Sequence, residues 1–287
     1  MPELFLRQAE ILIQTSGGVF NVLKDFRITF QIEKTSESTP NPAKISLYNL
    51  SKDNQALFEQ KNSSIILQAG YKGLTAPIIK TLFIGDIATA KTTKRSTDFI
   101  TEIEAGDAEK KIISSYINKS FAGKDSASKG NNTTRDIVKE LIKSMGFITN
   151  TTQEKQIDKK LEIVSDTKPF FGVTLSGPSK FILDTILEKE GLEWSVQNGE
   201  IQIVDASKKI SAQPSVILMG DTGLLDVSKE EDNRINFRAL LNPEILPTRT
   251  IKITSELMGL DGVFTVRRVN YIGDTHQGDW IVTGEAV

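Results

Sequence analysis

The stretch FRITFQIE at residues 26–33 restricts this chain more than any other. Phe26, Ile28, Phe30 and Ile32 alternate with Arg27, Thr29, Gln31 and Glu33. A period of two puts one apolar row on a core and one polar row outside, which a helix of period 3.6 cannot do. The segment is therefore a half-buried strand, and it needs antiparallel neighbours to satisfy its backbone. Further strands are predicted at AKISLYN, SSIILQAG, TLFIGDI and DFITEIE in the first hundred residues, with a short helix over 51–61 capped by Ser51. TSGGV at 15–19 reads as a glycine turn, and TSESTPNP at 35–42 as a polar, proline-marked loop.

The middle of the chain changes period. Thr133 with Asp136 forms a capping-box start, Ile137, Val138, Leu141, Ile142 and Met145 recur at helical spacing, and Gly146 ends the run. Pro178 opens a second helix with Ile182, Leu183, Ile186 and Leu187 on one face and Gly191 as its stop. A hairpin follows directly: LEWSV, Asn198-Gly199, EIQIVD. AGKDSASKGNN at 122–132 is poor in apolar residues and reads as a loop. From about Pro214 strands return in SVILMG, RINFRALL, TIKITSEL, GVFTVRRVNYIG and DWIVTGEA. The order is β, then α/β, then β.

The two β stretches repeat one another. Phe83 to Asp98 and Phe264 to Asp279 both span fifteen positions (98 − 83 and 279 − 264). At that alignment Asp98-Phe99-Ile100 meets Asp279-Trp280-Ile281, and Glu104-Ala105 meets Glu285-Ala286. Upstream, Lys44-Ile45-Ser46-Leu47 pairs with Arg234-Ile235-Asn236-Phe237. A duplicated β unit flanking an insert is expected, with Phe83 on Phe264 and Asp98 on Asp279. Trp280 is expected to fill in the second unit the place of Phe99 in the first, its face covered by the core or by a neighbouring subunit.

At 287 residues two or three domains are expected. Lysine plus arginine number 35 against 37 aspartates and glutamates, so no strong attraction to nucleic acid or an anionic membrane follows. Zero cysteines exclude disulfides, thiolate zinc sites and cysteine nucleophiles. The N-terminus MPELFLRQAEILIQT lacks the pattern of a signal peptide, and no stretch nears the ~18 apolar residues of a membrane span, so a soluble protein without Sec export is expected.

The single histidine, His276, lies in GDTHQGDW. A histidine base needs a partner and a metal site needs further nitrogen or sulfur ligands, yet the chain has no second histidine and no cysteine. Gly273-Asp274 and Gln277-Gly278 are turn-formers, so His276 reads as part of a hairpin connection. Asp221-Thr222-Gly223 resembles the aspartic-protease triplet, but that chemistry needs two such carboxylates, and an exposed turn is the simpler reading. Glu230-Glu231-Asp232 could supply a glycosidase carboxylate pair and reads more simply as a solvated loop. GPSKFIL at 177–183 lacks phosphate-loop spacing, and Lys91, Lys94 and Arg95 form a small basic hairpin tip without interleaved aromatics. No catalytic, cofactor-binding or metal residue is assigned, and no cofactor is expected.

Taken in order, residues 26–51, IILQAGYKG at 65–73, LFIGDI with DFITEIEAGDA at 82–108, residues 175–204, and NPEILPTRTIKI with YIGDTHQGDW resemble the baseplate hub proteins of contractile-tailed bacteriophages and related injection machines. The resemblance implies an α+β, mainly β fold: two tube-like antiparallel β-barrel domains at 1–110 and 213–287 flanking a small α/β insert at 111–212. It implies a homotrimer forming a pseudo-six-fold ring between the hexameric tail tube and the trimeric central spike, with other baseplate or tape-measure proteins as neighbours. DNA would meet the chain only in transit through the lumen. The site would be the virion tail baseplate, after synthesis in the host cytoplasm. Some hub proteins carry a fused cell-wall hydrolase, for which 287 residues leave no room. Two other readings stay open: a baseplate-associated cell-wall hydrolase, with a carboxylate of raised pKa in a cleft, and a tail tube or tube-initiator protein, favoured if only one barrel is present.

Overall fold

The computed structural model describes residues 6–15, 20–60, 63–73, 77–122, 132–167, 169, 172–205, 216–230, 233–256 and 259–287. The TSGGV turn beyond Thr15 and the loop at 123–131 lie outside the described residues, as do Glu231 and Asp232. The first part contains β1 (Arg7–Gln14), β2 (Phe20–Leu23), β3 (Ile28–Thr35), β4 (Pro42–Tyr48), α1 (Lys52–Phe58), β5 (Ser64–Lys72), β6 (Pro77–Arg95) and β7 (Asp98–Gly106). The insert holds α2 (Glu109–Ile113), β8 (Tyr116–Phe121), α3 (Thr134–Ser144), α4 (Thr151–Lys160), β9 (Val173–Pro178), α5 (Ser179–Lys189), β10 (Leu192–Gln197) and β11 (Glu200–Asp205). The last part adds β12 (Val216–Leu218), β13 (Leu224–Lys229), β14 (Ile235–Leu240), β15 (Thr250–Ser255), β16 (Leu260–Asp274) and β17 (Trp280–Ala286).

The chain is mainly β with an α/β insert. Among the described residues thirteen strands join into one sheet, whose main path runs β13-β14-β17-β16-β3-β4-β7-β6-β5-β1-β2. β3 alternates as FRITFQIE requires: Ile28, Phe30 and Ile32 are buried, and Gln31 is exposed. One hydrophobic cluster gathers Ile11, Ile45 and Leu67 from the first part with Phe237, Ile253 and Tyr271 from the last. A second cluster belongs to the insert, where Val138, Leu141, Leu183, Leu187 and Trp194 pack together. There the predicted caps are in place. Thr133 and Asp136 close their capping box, Gly146 and Gly191 take positive φ past their helices, and Asn198-Gly199 (φ 55° and 79°) makes the turn between β10 and β11.

The repeat is visible as topology. β3-β4-β7-β6-β5 and β13-β14-β17-β16-β15 are connected in the same order, all antiparallel. Each carries a bulge at the same place: between Ile87 and Thr89 opposite Ala105 and Glu104, and between Val266 and Arg268 opposite Ala286 and Glu285. Counting from the bulges, Asp98 corresponds to Asp279, as the sequence alignment had it. Phe83 does not correspond to Phe264. The shared bulge equates Ile87 with Val266, so Gly85 falls on Phe264. The equal fifteen-residue spacing misled because the second hairpin has a longer tip: Arg95 pairs with Asp98 across two residues, whereas Asp274 meets Asp279 across four. A shift of two also separates Ile45 from Ile235. Ala43 faces Ala105 as Ile235 faces Ala286, which sets Ile45 on Phe237. Both errors are even numbers, so the apolar face survives them.

Candidate functional site

Alternation carried across eight neighbouring strands, from β13 to β6, separates two faces. Phe30, Ile45, Ile103, Phe237, Tyr271 and Val282 point to the core. The opposite row is polar from end to end: Asp226 on β13 lies opposite Arg238 on β14, and Arg238 opposite Thr283 on β17. It continues through Glu285 opposite Arg268 on β16 and Asn270 opposite Glu33 on β3, to Lys44 opposite Glu104 on β7. Glu33 and Arg268 form an ion pair across the seam. Cations and carboxylates interleave along this face, so it presents a hydrated surface without a single-sign field.

The seam is the antiparallel pairing of β16 with β3, from Arg268 opposite Thr35 to Asp274 opposite Thr29. GDTHQGDW closes it. Asp274 accepts from Arg27 (2.7 Å) and from the backbone N–H of His276 (2.9 Å), and Thr275 exchanges backbone and side-chain bonds with Ile28. Burial alone would raise the Asp274 carboxyl, but the Arg27 hydrogen bond and the two turn N–H groups outweigh it and hold it below its ordinary value. His276 is exposed, with its ring beside Thr275. It belongs to a turn that fastens the last β unit to the first.

A polar clasp fastens the insert. The alternation of β3 sends Lys34 to the core side, where it is fully buried. Its ammonium donates to Asn198 Oδ1, at the tip of the β10–β11 hairpin. Asp107, equally buried, accepts from the backbone N–H of Asn198 and of Gly199, each at 2.8 Å. Asn41 and Gln197 complete the contact through Val196 O and Thr35 O. Burial pushes the Lys34 ammonium down to about 8 and the Asp107 carboxyl up, and in each case it outweighs the attraction of the partner charge. The carboxylate raised by burial thus serves a structural contact and lines no cleft. Nothing in the sequence reading singled out Lys34 or Asp107; a lysine in phase with Ile28, Phe30 and Ile32 was the available signal.

The remaining candidates are separated. Asp221-Thr222-Gly223 is a tight helical turn in which the Thr222 hydroxyl donates to Ile217 O (2.8 Å), and Asp221 is exposed. Glu230 pairs with Arg234 at 3.3 Å. Lys91 and Arg95 lie on the distal half of β6, and Arg95 reaches Glu102 at 2.8 Å. Among the described residues no group of three His, Cys, Asp or Glu is placed to hold a metal. Trp280 is buried, edge-on to Phe30 with ring centres 5.3 Å apart and Arg7 over its face. Phe99, its counterpart by register, is 47% exposed, so the expected equivalence holds for position and fails for environment.

Residues 10–286 match the protein family described as Baseplate hub gp41. The chain belongs to that family. Its role in the phage tail baseplate is structural, and its place is the virion. The fold is similar to that of the 43 kDa tail protein of prophage MuSo2 from Shewanella oneidensis, with a TM-score of 0.64, 11% identity, and coverage of 97% of this chain and 96% of that one. The tail protein from Neisseria meningitidis MC58 gives a TM-score of 0.61 at 10% identity, over 98% and 96% of the two chains. The E. coli c3393 protein, a type VI secretion component with structural similarity to T4 tail proteins gp27 and gp5, gives 0.57 at 10% identity over 91% and 73%. No curated protein matches the sequence. For this baseplate hub protein, a polar face running unbroken across two repeated β units is the feature the family's structural role calls on.

Proposed function

We propose that this hub protein assembles as a homotrimer in a contractile tail, and that its three pairs of β units form a pseudo-six-fold ring between the hexameric tail tube and the trimeric spike. The tube-like units are 1–110 and 213–287, and the insert at 111–212 faces other baseplate or tape-measure proteins. The observation that carries this is the side-by-side junction of two units of one topology through β3 and β16, with one polar face crossing it. Two copies of a unit per chain convert three-fold into near six-fold symmetry. In this reading the polar face lines a lumen through which DNA passes, and interleaved charges suit passage better than binding. The protein performs no catalysis. Native mass at near-physiological salt tests the proposal. The expected particle has three times the 31.7 kDa of one chain. A monomer at all concentrations would sink it, and a hexamer would favour a tube initiator.

A further inference from the structure

Two strand edges of this sheet lack a strand partner among the described residues. β13 pairs with β14 alone, and β6 from Thr89 onward pairs with β7 alone, because β5 covers only the stretch up to Asp86. The repeat says what belongs on them. β13 is the counterpart of β3, since Val227 faces Phe237 as Phe30 faces Ile45. The distal half of β6 is the counterpart of β16 from Arg268 to Asp274. Within one chain, β3 and that part of β16 pair with each other.

We infer that β6 of one copy pairs antiparallel with β13 of the next, repeating between chains the junction that β16 and β3 make within one. Transferring the register gives the partners. Asn270 opposite Glu33 becomes Lys91 opposite Glu230, Ile272 opposite Gln31 becomes Thr93 opposite Ser228, and Asp274 opposite Thr29 becomes Arg95 opposite Asp226. The register was transferred without regard to charge, yet it sets both cations against carboxylates, an arrangement favoured in directly opposed strand positions. The basic cluster of the β6–β7 tip and the acidic run after β13 thereby acquire one shared purpose. Their intrachain pairs, Arg95 with Glu102 and Glu230 with Arg234, are exposed and leave carboxylate oxygens for a second cation. The contact joins two different edges, so it is heterologous and closes into a ring. Satisfying both edges also removes two templates for uncontrolled strand addition.

This inference rests on the trimeric reading above, and the test separates the two. The chain has no cysteine. Thr93→Cys and Ser228→Cys in one chain sit at far ends of the eight-strand path, so oxidation can join them only between copies, where opposed strand residues lie within disulfide reach. The expected result is a covalent ladder ending at three chains, and only a two-chain product when the single variants are mixed. Lys91→Glu with Arg95→Glu should weaken assembly by about tenfold or more. Adding Asp226→Lys and Glu230→Lys should restore it. A three-chain native mass with neither cross-link nor charge-swap rescue overturns the pairing and leaves the trimer standing. Absence of any three-chain species from the unmodified chain overturns both.

Discussion

The two repeated units differ most at the tips of matching hairpins. In the last unit the tip between β16 and β17 is docked: Asp274 is held by Arg27, Thr275 by Ile28, and Trp280 is sealed between Phe30 and Arg7. In the first unit the tip between β6 and β7 is short and exposed, with Phe99 at 47% and Lys94 lying over its ring. One topology has produced a tip that fills an interface inside the chain and a tip left open for one outside it. Two extra residues in the connection and an aromatic turned inward account for the difference. Seam chemistry is thus written in tips and edges, while the sheet behind them is held constant.

Trp280→Ala should break this contrast most strongly. Removing a buried tryptophan that packs on Phe30 is expected to cost ~3–5 kcal/mol, seen as a fall in Tm that does not vary with protein concentration. Phe99→Ala should stay within about ±0.5 kcal/mol in the isolated chain. Equal losses from the two would show that the tips are alike. Next in size is the clasp. Lys34→Ala leaves Asp107 buried without its cation and is expected to cost ~3–5 kcal/mol, released first as loosening of the insert in hydrogen exchange at β10 and β11.

The clasp also sets a pH dependence. Lys34 has its folded pKa lowered from 10.5 to about 8, so its contribution to stability is present above 10.5 and is lost as pH falls through about 8. Asp107 is raised above 3.8, so its contribution is full below 3.8 and is lost as pH rises through the higher folded value. Relative to Lys34→Met, the unmodified chain should therefore gain stability as pH goes from 8 to 10.5. A flat difference across that window would show that Lys34 stays solvated.

Smaller effects belong to the docked turn. Asp274→Asn removes the charge that Arg27 holds and is expected to cost ~1–2 kcal/mol at neutral pH. Asp274 has a lowered pKa, so that cost should shrink as pH falls below 3.8 and the carboxyl protonates, as chemical denaturation at several pH values can show. His276→Ala should change stability by no more than about 0.5 kcal/mol, since its side chain is exposed and only its backbone holds Asp274. A larger loss would mean that the histidine ring takes part in the seam.

Local patterns were legible wherever neighbours within a few residues decide them. The alternation of residues 26–33, the Thr133 to Asp136 capping box and the Asn198-Gly199 turn all stand where the sequence places them, because each depends on backbone geometry over a single turn or strand. Elements with weaker marks were missed. Helix α4, TTQEKQIDKK, buries Ile157 and Leu161 follows it, too few apolar residues to reveal a period. Strands β8 and β9 pair across more than fifty residues, and α2 is a five-residue helix that opens on Ala108 without a side-chain cap.

The sequence by itself determined that this chain has two β units of one design around a helical insert, since alternation and repeated order survive a register error of two. Register, and with it every contact between distant strands, was decided only in three dimensions. Gly85 rather than Phe83 falls on Phe264 because a bulge, invisible in the sequence, sets the count, and Lys34 is buried because a hairpin from residues 198–199 arrives to cover it. Periodicity depends on the few residues beside each position, whereas a seam depends on which segments come together, and that is fixed by the packing of the whole sheet.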